Sequence, residues 1–410
     1  MKAAIVTSAR MKPVYGDFQA PLPRAGFEIV RVNATALTNI TKGRASGTHY
    51  STANAYPLIP GVDGVGTLTD GRRVYFAMPE APYGAMAQQT LVDPRHMVKL
   101  PDEVDDVTAA ALANPGMSCF AALVERARLQ RGETVFINGA TGAAGSVAVQ
   151  VAKQLGAAKV IVTGRNAKDL EALRSLGADV VIPFDLRPEN LQGVEEFEQR
   201  LCAEFAYGVD VVIDYLWGAS ARTIIVAIAK AVEDAHPVRF IQVGGASGDA
   251  LELPSAALRS SAIQIMGSGL KSVPFAKLLD SVRRTFGLAA EGKLRLVTRA
   301  VPLSSIEEHW NSEGKPRLVF TVTQECNRSL RWVHRNSCRA HTKGNRNDRH
   351  HHPHGRHWQP SASARCQRQR TRPRYRTQSV APPSGNSHPR SSRRRFAWRC
   401  GNNPESSTRR

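Results

Sequence analysis

The stretch that decides the fold is Val135-Phe-Ile-Asn-Gly-Ala-Thr-Gly-Ala-Ala-Gly-Ser-Val-Ala-Val149, in the middle third of a chain of 410 residues. Val135-Phe-Ile reads as the end of a buried strand, and the residues after Gly142 begin an amphipathic helix. Between them, Ala140-x-Gly142-x-x-Gly145 makes a strand-to-helix turn suited to a dinucleotide. Gly142 lets backbone approach a pyrophosphate, and Gly145 lets the helix pack against the sheet. The amides of Ala143 and Ala144 stand at the helix N-terminus, where partial positive charge collects. Similar turns also occur where nothing binds, so the surrounding sequence has to decide.

That surrounding sequence is regular. Strands are expected at 134–138, 159–163, 179–182, 210–214, 239–243 and 263–267, and helices at 143–155, 167–176, 194–205, 219–232 and 275–290. Strands alternating with helices predict a doubly wound parallel sheet, a Rossmann unit of α/β class. Residues 1–114 read differently. Short apolar runs such as 28–32 and 73–76, with Pro57, Pro60, Gly61, Gly64 and Gly66 between them, predict a β-rich domain. Leu318-Val-Phe-Thr-Val322 reads as a last strand returning to it.

The second strand ends in Thr163-Gly-Arg-Asn166, where a site for NADH would place a carboxylate on the ribose hydroxyls. Arg165 instead offers a fork of donors to a 2′-phosphate, and Lys168 adds a second positive charge. NADPH is therefore the expected cofactor. The alternative is that both are solvated charges at a helix start.

The formal net charge of +20 sits almost wholly in one segment. From Cys326 onward there are 20 Arg and 1 Lys against Asp348 and Glu405, leaving 34 basic and 33 acidic residues before it. Residues 325–410 have no periodic apolar face and are expected to be a disordered Arg-rich tail. The abrupt change in composition is also what a shifted reading frame in a GC-rich gene would produce. If the tail is genuine, it offers phosphate contacts to nucleic acid, and its cluster of His350, His351, His352, His354 and His357 matches no ordinary zinc spacing. No disulfide framework, signal peptide or run of ~18 uninterrupted apolar residues is apparent, so a reduced, cytoplasmic setting with no membrane is expected.

Further motifs carry a resemblance. Met1-Lys-Ala-Ala-Ile-Val, Pro60-Gly-Val-Asp-Gly-Val-Gly66, Gly71-Arg-Arg-Val-Tyr75, Tyr83-Gly-Ala-Met-Ala87, Lys99-Leu-Pro101, Gly116-Met-Ser-Cys-Phe-Ala-Ala122 and Arg131-Gly-Glu-Thr-Val135, with the glycine turn, resemble the medium-chain dehydrogenase/reductase superfamily over about 1–323. Within it, the chain is similar to the zinc-free quinone oxidoreductase-like branch. The resemblance implies a GroES-like catalytic domain over 1–114, completed by 270–323, and a Rossmann NADP-binding domain over 115–269. It also implies a homodimer built on the outer Rossmann strand.

Zinc-dependent members need a thiolate and an imidazole. Val62 stands where they carry histidine, and no cysteine precedes Cys119, so no metal site is expected. The implied reaction passes a hydride from NADPH to a quinone or an α,β-unsaturated carbonyl acceptor. Enoyl-thioester and alcohol/aldehyde oxidation-reduction are the alternatives within the superfamily. Quinone oxidoreductases commonly carry Asn and Asp where this chain has Thr38-Asn-Ile-Thr41, and a tyrosine near Thr48-His-Tyr50. The catalytic candidates are thus Thr38, His49 and Tyr50, each equally readable as a loop residue with a satisfied polar group. Tyr83, Tyr215 and Trp217 follow them. Ser118, Gly164, Asn166 and Gly244 join Ala140, Gly142, Ala143, Ala144, Gly145, Arg165 and Lys168 as the expected cofactor-binding set.

Overall fold

A computed structural model describes residues 1–52, 55–190, 192–312 and 314–322, so the expectations for the Arg-rich tail lie outside the described residues. Residues Met1–Glu325 form one compact unit containing two large sheets.

The strands before residue 100 are β1 (Lys2–Ile5), β2 (Val14–Asp17), β3 (Glu28–Ala36), β4 (Asp63–Thr67), β5 (Arg73–Ala77), β6 (Gln89–Val92) and β7 (Met97–Lys99). Helix α1 (Asn39–Ser46) follows β3, and α2 (Asp106–Phe120) packs against this sheet, its Ala109–Ala111 and Ala113 sharing a core with Ala34, Val65 and Tyr75. The 28–32 reading stops short, because β3 runs on through Asn33-Ala-Thr-Ala36 with a register shift between Val32 and Ala34. Its polar residues conceal it in the sequence and have partners in the fold. Asn33 Nδ2 donates to Asp106 Oδ2 at 3.0 Å, and Thr35 Oγ1 donates to the Asp63 carbonyl at 2.8 Å.

The second sheet contains β8 (Thr134–Asn138), β9 (Lys159–Gly164), β10 (Val180–Pro183), β11 (Val211–Asp214), β12 (Pro237–Gln242) and β13 (Ala262–Gly267). All are parallel, in the order β10-β9-β8-β11-β12-β13. The chain reverses its winding between β8 and β11, and the carboxyl ends of those two strands are where such sheets bind ligands. Apolar side chains leave β8 on both faces. Val135 and Ile137 join a core under α3 (Ala143–Gln154), whereas Phe136 joins the opposite core with Phe205 and Phe240. Burial on both sides explains the uninterrupted apolar run.

Helix α4 (Ala167–Glu171) is shorter than the expected 167–176, since residues Ala172–Leu176 tighten into a 3₁₀ turn before Gly177, at φ +110°. Helices α5 (Gly193–Phe205), α6 (Gly218–Ala231), α7 (Ser255–Arg259) and α8 (Phe275–Ala290) complete the series. Strands β14 (Thr298–Pro302) and β15 (Arg317–Thr321) return to the first sheet, where β15 pairs antiparallel with β3. Helix α2 continues through a π turn, and residues Asp106–Arg126 are long and apolar enough to cross a membrane. However, that stretch is mostly buried in the protein, where Gly116 lies tight against Thr285 of α8, and it serves as a core helix.

Candidate active site

The glycine turn after β8 is built for close approach. Gly139 adopts φ +81°, and a Cβ there would meet Leu216 Cγ at 2.7 Å. The conformational demand thus falls on Gly139, whereas Ala140 is wholly buried, with its amide donating to the Thr163 carbonyl at 2.9 Å. Gly145 packs so tightly that a Cβ would lie 2.5 Å from Ala140 Cα. Gly142 is different. It caps α3 with no side-chain hydrogen bond, and a Cβ there would meet only the Gly139 carbonyl oxygen, at 3.8 Å. Space is therefore open above the amides of Ala143 and Ala144, where an anion is best accommodated.

Beside that turn, Gly164 at the end of β9 is buried under Thr141. Arg165 and Lys168 are exposed and make no hydrogen bond or ion pair among the described residues. The Asn166 side chain accepts from the Asp169 amide at 3.1 Å, capping α4, so its oxygen is engaged within the protein. Two unpaired cations flank the turn, and no carboxylate occupies residues 163–166.

Between β8, β9 and β11 lies a buried polar network that the sequence reading missed. Asn138 Nδ2 donates to Asp214 Oδ1 at 2.8 Å and to Ser220 Oγ at 2.9 Å, while its oxygen accepts from Thr163 Oγ1 at 2.7 Å. Asp214 also accepts from the amides of Leu216 and Trp217, and burial pushes its carboxyl above the ordinary value. These bonds hold Trp217 at φ +60°, strained for a residue with a side chain. Gly244 approaches so closely that a Cβ would lie 2.8 Å from the Tyr215 carbonyl oxygen. The buried Tyr215 hydroxyl has Ser118 beside it and no well-formed hydrogen bond among the described residues. Burial, with Cys119, pushes that phenol well up, and Ser118 opposes the shift.

On the other sheet, α1 and the loop after it carry the expected catalytic residues. Thr38 caps α1, accepting from the Thr41 amide at 3.0 Å and donating to Thr41 Oγ1 at 2.8 Å. Its proton is therefore occupied, and Thr41 is the hydroxyl that reaches the neighbouring cavity. His49 Nδ1 accepts from the Ser51 amide at 3.2 Å and lies 2.8 Å from Ser51 Oγ, which itself accepts from Arg44 Nη1 at 2.9 Å. This chain of bonds assigns the imidazole proton to Nε2. Burial and the nearby Arg44 hold His49 below its ordinary pKa. Tyr50 stacks on His49 and accepts from the Leu270 amide at 3.2 Å, joining this loop to the segment after β13.

A small open cavity adjoins α1. Thr41, Arg44, Thr52, Val62, Met78 and Tyr83 are among its lining, which among the described residues contains no cysteine, histidine or carboxylate. Thr38, His49 and Tyr50 lie outside it. Arg44 and Thr52 had no sequence signal, because their convergence depends on how 58–62 and 78–83 fold over α1. Among the described residues no three His, Cys, Asp or Glu side chains cluster as a metal site would require.

Comparison with known proteins places this geometry in context. A family model described as zinc-binding dehydrogenase matches residues 143–283, a span whose only cysteine and histidine are Cys202 and His236. A probable NADPH-dependent quinone reductase of Emericella nidulans is 25% identical, over 76% of this chain and 97% of its own. A chloroplastic NADPH-dependent alkenal/one oxidoreductase of Arabidopsis thaliana is 26% identical, over 62% of this chain and 67% of its own. Among solved structures, an alcohol dehydrogenase superfamily protein from Novosphingobium aromaticivorans is similar with a TM-score of 0.65 and 25% identity, covering 79% of this chain and 100% of its own.

Proposed function

The chain belongs to the medium-chain dehydrogenase/reductase superfamily, in its quinone oxidoreductase-like branch, and on that premise we propose an NADPH-dependent reductase of quinones or α,β-unsaturated carbonyl compounds. The observation that carries the cofactor assignment is the unpaired Arg165 and Lys168 beside an open glycine turn with no carboxylate at the corner. In this reading the amides at Gly142, Ala143, Ala144 and Gly145 receive the pyrophosphate, and Arg165 with Lys168 receives the 2′-phosphate. Ser118, Ala140, Gly164, Asn166 and Gly244 shape the rest of the groove. NADPH, when bound, supplies a hydride. A proton from solvent completes the reduction to a saturated carbonyl compound or hydroquinone.

The names of the two relatives support this acceptor class. The acceptor carbonyl needs a donor where negative charge develops. Thr41, backed by Thr38, can donate from the cavity wall, and His49 Nε2–H is a neutral donor in the loop that Tyr50 anchors.

We divide the compact unit into a catalytic domain, 1–114 with 270–323, and a Rossmann domain, 115–269. We further propose a cytoplasmic homodimer. β13 is an edge strand with Ile265 37% exposed, which supports pairing there.

NADPH oxidation with a panel of quinones, enones, enoyl thioesters and aldehydes tests the reading. Turnover confined to thioesters or aldehydes would replace the acceptor class, and no turnover at all would overturn it. The separate reading of the basic tail as a nucleic-acid ligand rests on its charge, and salt-sensitive binding lost on truncation after Gln324 tests it.

A further inference from the structure

The cavity beside α1 carries information about the acceptor. Its lining is mostly apolar, with Ala45, Leu58, Ile59, Val62 and Met78 contributing, and a single charge, Arg44. That guanidinium is half-buried, and its one hydrogen bond among the described residues runs from Nη1 to Ser51 Oγ. Among the described residues, no carboxylate lines the cavity. A guanidinium carries five N–H donors, so most of its capacity is unused. Thr52 adds an independent observation. The residue lines the same cavity, and its buried hydroxyl has no hydrogen-bond partner among the described residues. Buried polar groups are ordinarily satisfied, and those that are not call for an explanation. A charge without a counter-ion and a hydroxyl without an acceptor, among the described residues that line one mostly apolar cavity, together describe the complement of an amphipathic anion.

We propose that this cavity takes acceptors bearing a carboxylate, which Arg44 and Thr52 hold while the apolar wall receives the carbon skeleton. The inference rests on the reductase reading for the word acceptor, but the carboxylate site stands or falls separately. A guanidinium fork matches the two oxygens of a carboxylate, and a hydroxyl donor extends the match. The preferred substrates are then unsaturated oxo-acids or carboxylate-bearing quinones, in preference to neutral compounds of the same length.

Two measurements on the full chain at 0.15 M salt test this. Calorimetric titration compares hexanoate with hexanamide, which has nearly the same shape and no charge. The expected result is at least tenfold tighter binding of hexanoate, abolished in Arg44→Gln, partly kept in Arg44→Lys and weakened several-fold in Thr52→Val. Ser51→Ala keeps the charge and keeps the preference. Equal binding of the two ligands, or hexanoate binding unchanged in Arg44→Gln, overturns the proposal; the second result would place the anion elsewhere, the Arg-rich tail included. The second measurement is the ratio of kcat/KM for a 4-oxo-2-enoate to that for the matching neutral enone. It should exceed ten in the wild type and fall towards one in Arg44→Gln. Because the ratio is taken within each protein, a general loss of turnover does not affect it. Should no acceptor be reduced while hexanoate still binds through Arg44, the reductase reading fails and the carboxylate site survives.

Discussion

The Asn138 amide nitrogen stands 2.8 Å from Asp214 Oδ1, joining the carboxyl ends of β8 and β11 where the parallel sheet reverses its winding. The pair is wholly buried. Around it, Thr163 and Ser220 use the remaining polar capacity of Asn138, and Asp214 fixes the backbone at Leu216 and Trp217. The floor of the proposed cofactor groove is thus a satisfied polar network within an apolar core, and each member holds a neighbour in place.

Asn138→Leu removes both donors to Asp214 and Ser220 and leaves a buried carboxyl with backbone amides alone. The expected loss is about 2–4 kcal/mol of stability, read from urea denaturation. Asn138→Asp, which sets a second carboxyl against the first, should be worse at neutral pH than at pH 4. Equal stability of the three proteins at neutral pH would remove the network from the account.

The glycines of the turn should separate folding from binding. Gly145→Ala forces a Cβ to 2.5 Å from Ala140 Cα and should destabilise the fold by about 2 kcal/mol or more. Gly142→Ala meets open space, so its effect on stability should stay under about 1 kcal/mol. Its NADPH affinity should nevertheless fall at least tenfold, as measured by fluorescence titration, because the added methyl occupies the proposed path of the pyrophosphate.

Arg165→Ala should raise the KM for NADPH about 10- to 100-fold, corresponding to about 1.5–3 kcal/mol for charge-assisted hydrogen bonds. The KM for NADH should move less than twofold. Steady-state kinetics with both cofactors decide the matter, and equal losses with each would end the 2′-phosphate assignment. Adding Lys168→Ala should deepen the selective loss.

Asp63 is buried with its carboxyl bonded by Tyr75 Oη at 3.1 Å, and burial raises its pKa from 3.8 to about 6 against the smaller opposing effects of Tyr75 and Arg317. Between those two pH values the unfolded chain has released the proton while the folded chain still holds it. This contribution to stability is therefore fully present below pH 3.8, falls as pH rises, and is lost above about pH 6. The full change is at most about 3 kcal/mol. Asp63→Asn keeps an acceptor for Tyr75 and cannot titrate, so its stability should lack this component of the fall between pH 4 and 6. Denaturation midpoints across that range, compared with wild type, provide the check.

The sequence by itself determined the parallel sheet, the glycine turn and the absence of a carboxylate beside Arg165. Val135-Phe-Ile is legible because a central parallel strand is buried on both faces, and helix spacing is legible because turns of a helix bury residues close together in the chain. Gly145 was legible for the same local reason. The limits were local as well. The positive φ at Gly139 was not among the readings of the turn, and β3 was hidden by Asn33 and Thr35, whose partners lie on other elements.

Only the tertiary structure decided the rest. Asn138 meets Asp214 across 76 residues, and Tyr50 meets Leu270 across 220. Such pairs depend on strand register and crossover direction, which no window of neighbouring residues encodes. Arg44 and Thr52 acquired meaning only when the loops at 58–62 and 78–83 enclosed them without supplying a counter-charge. Periodic burial is a local property of the chain and can be read there. The pairing of one charge with another, or its lack of a partner, is a property of the space that folding encloses.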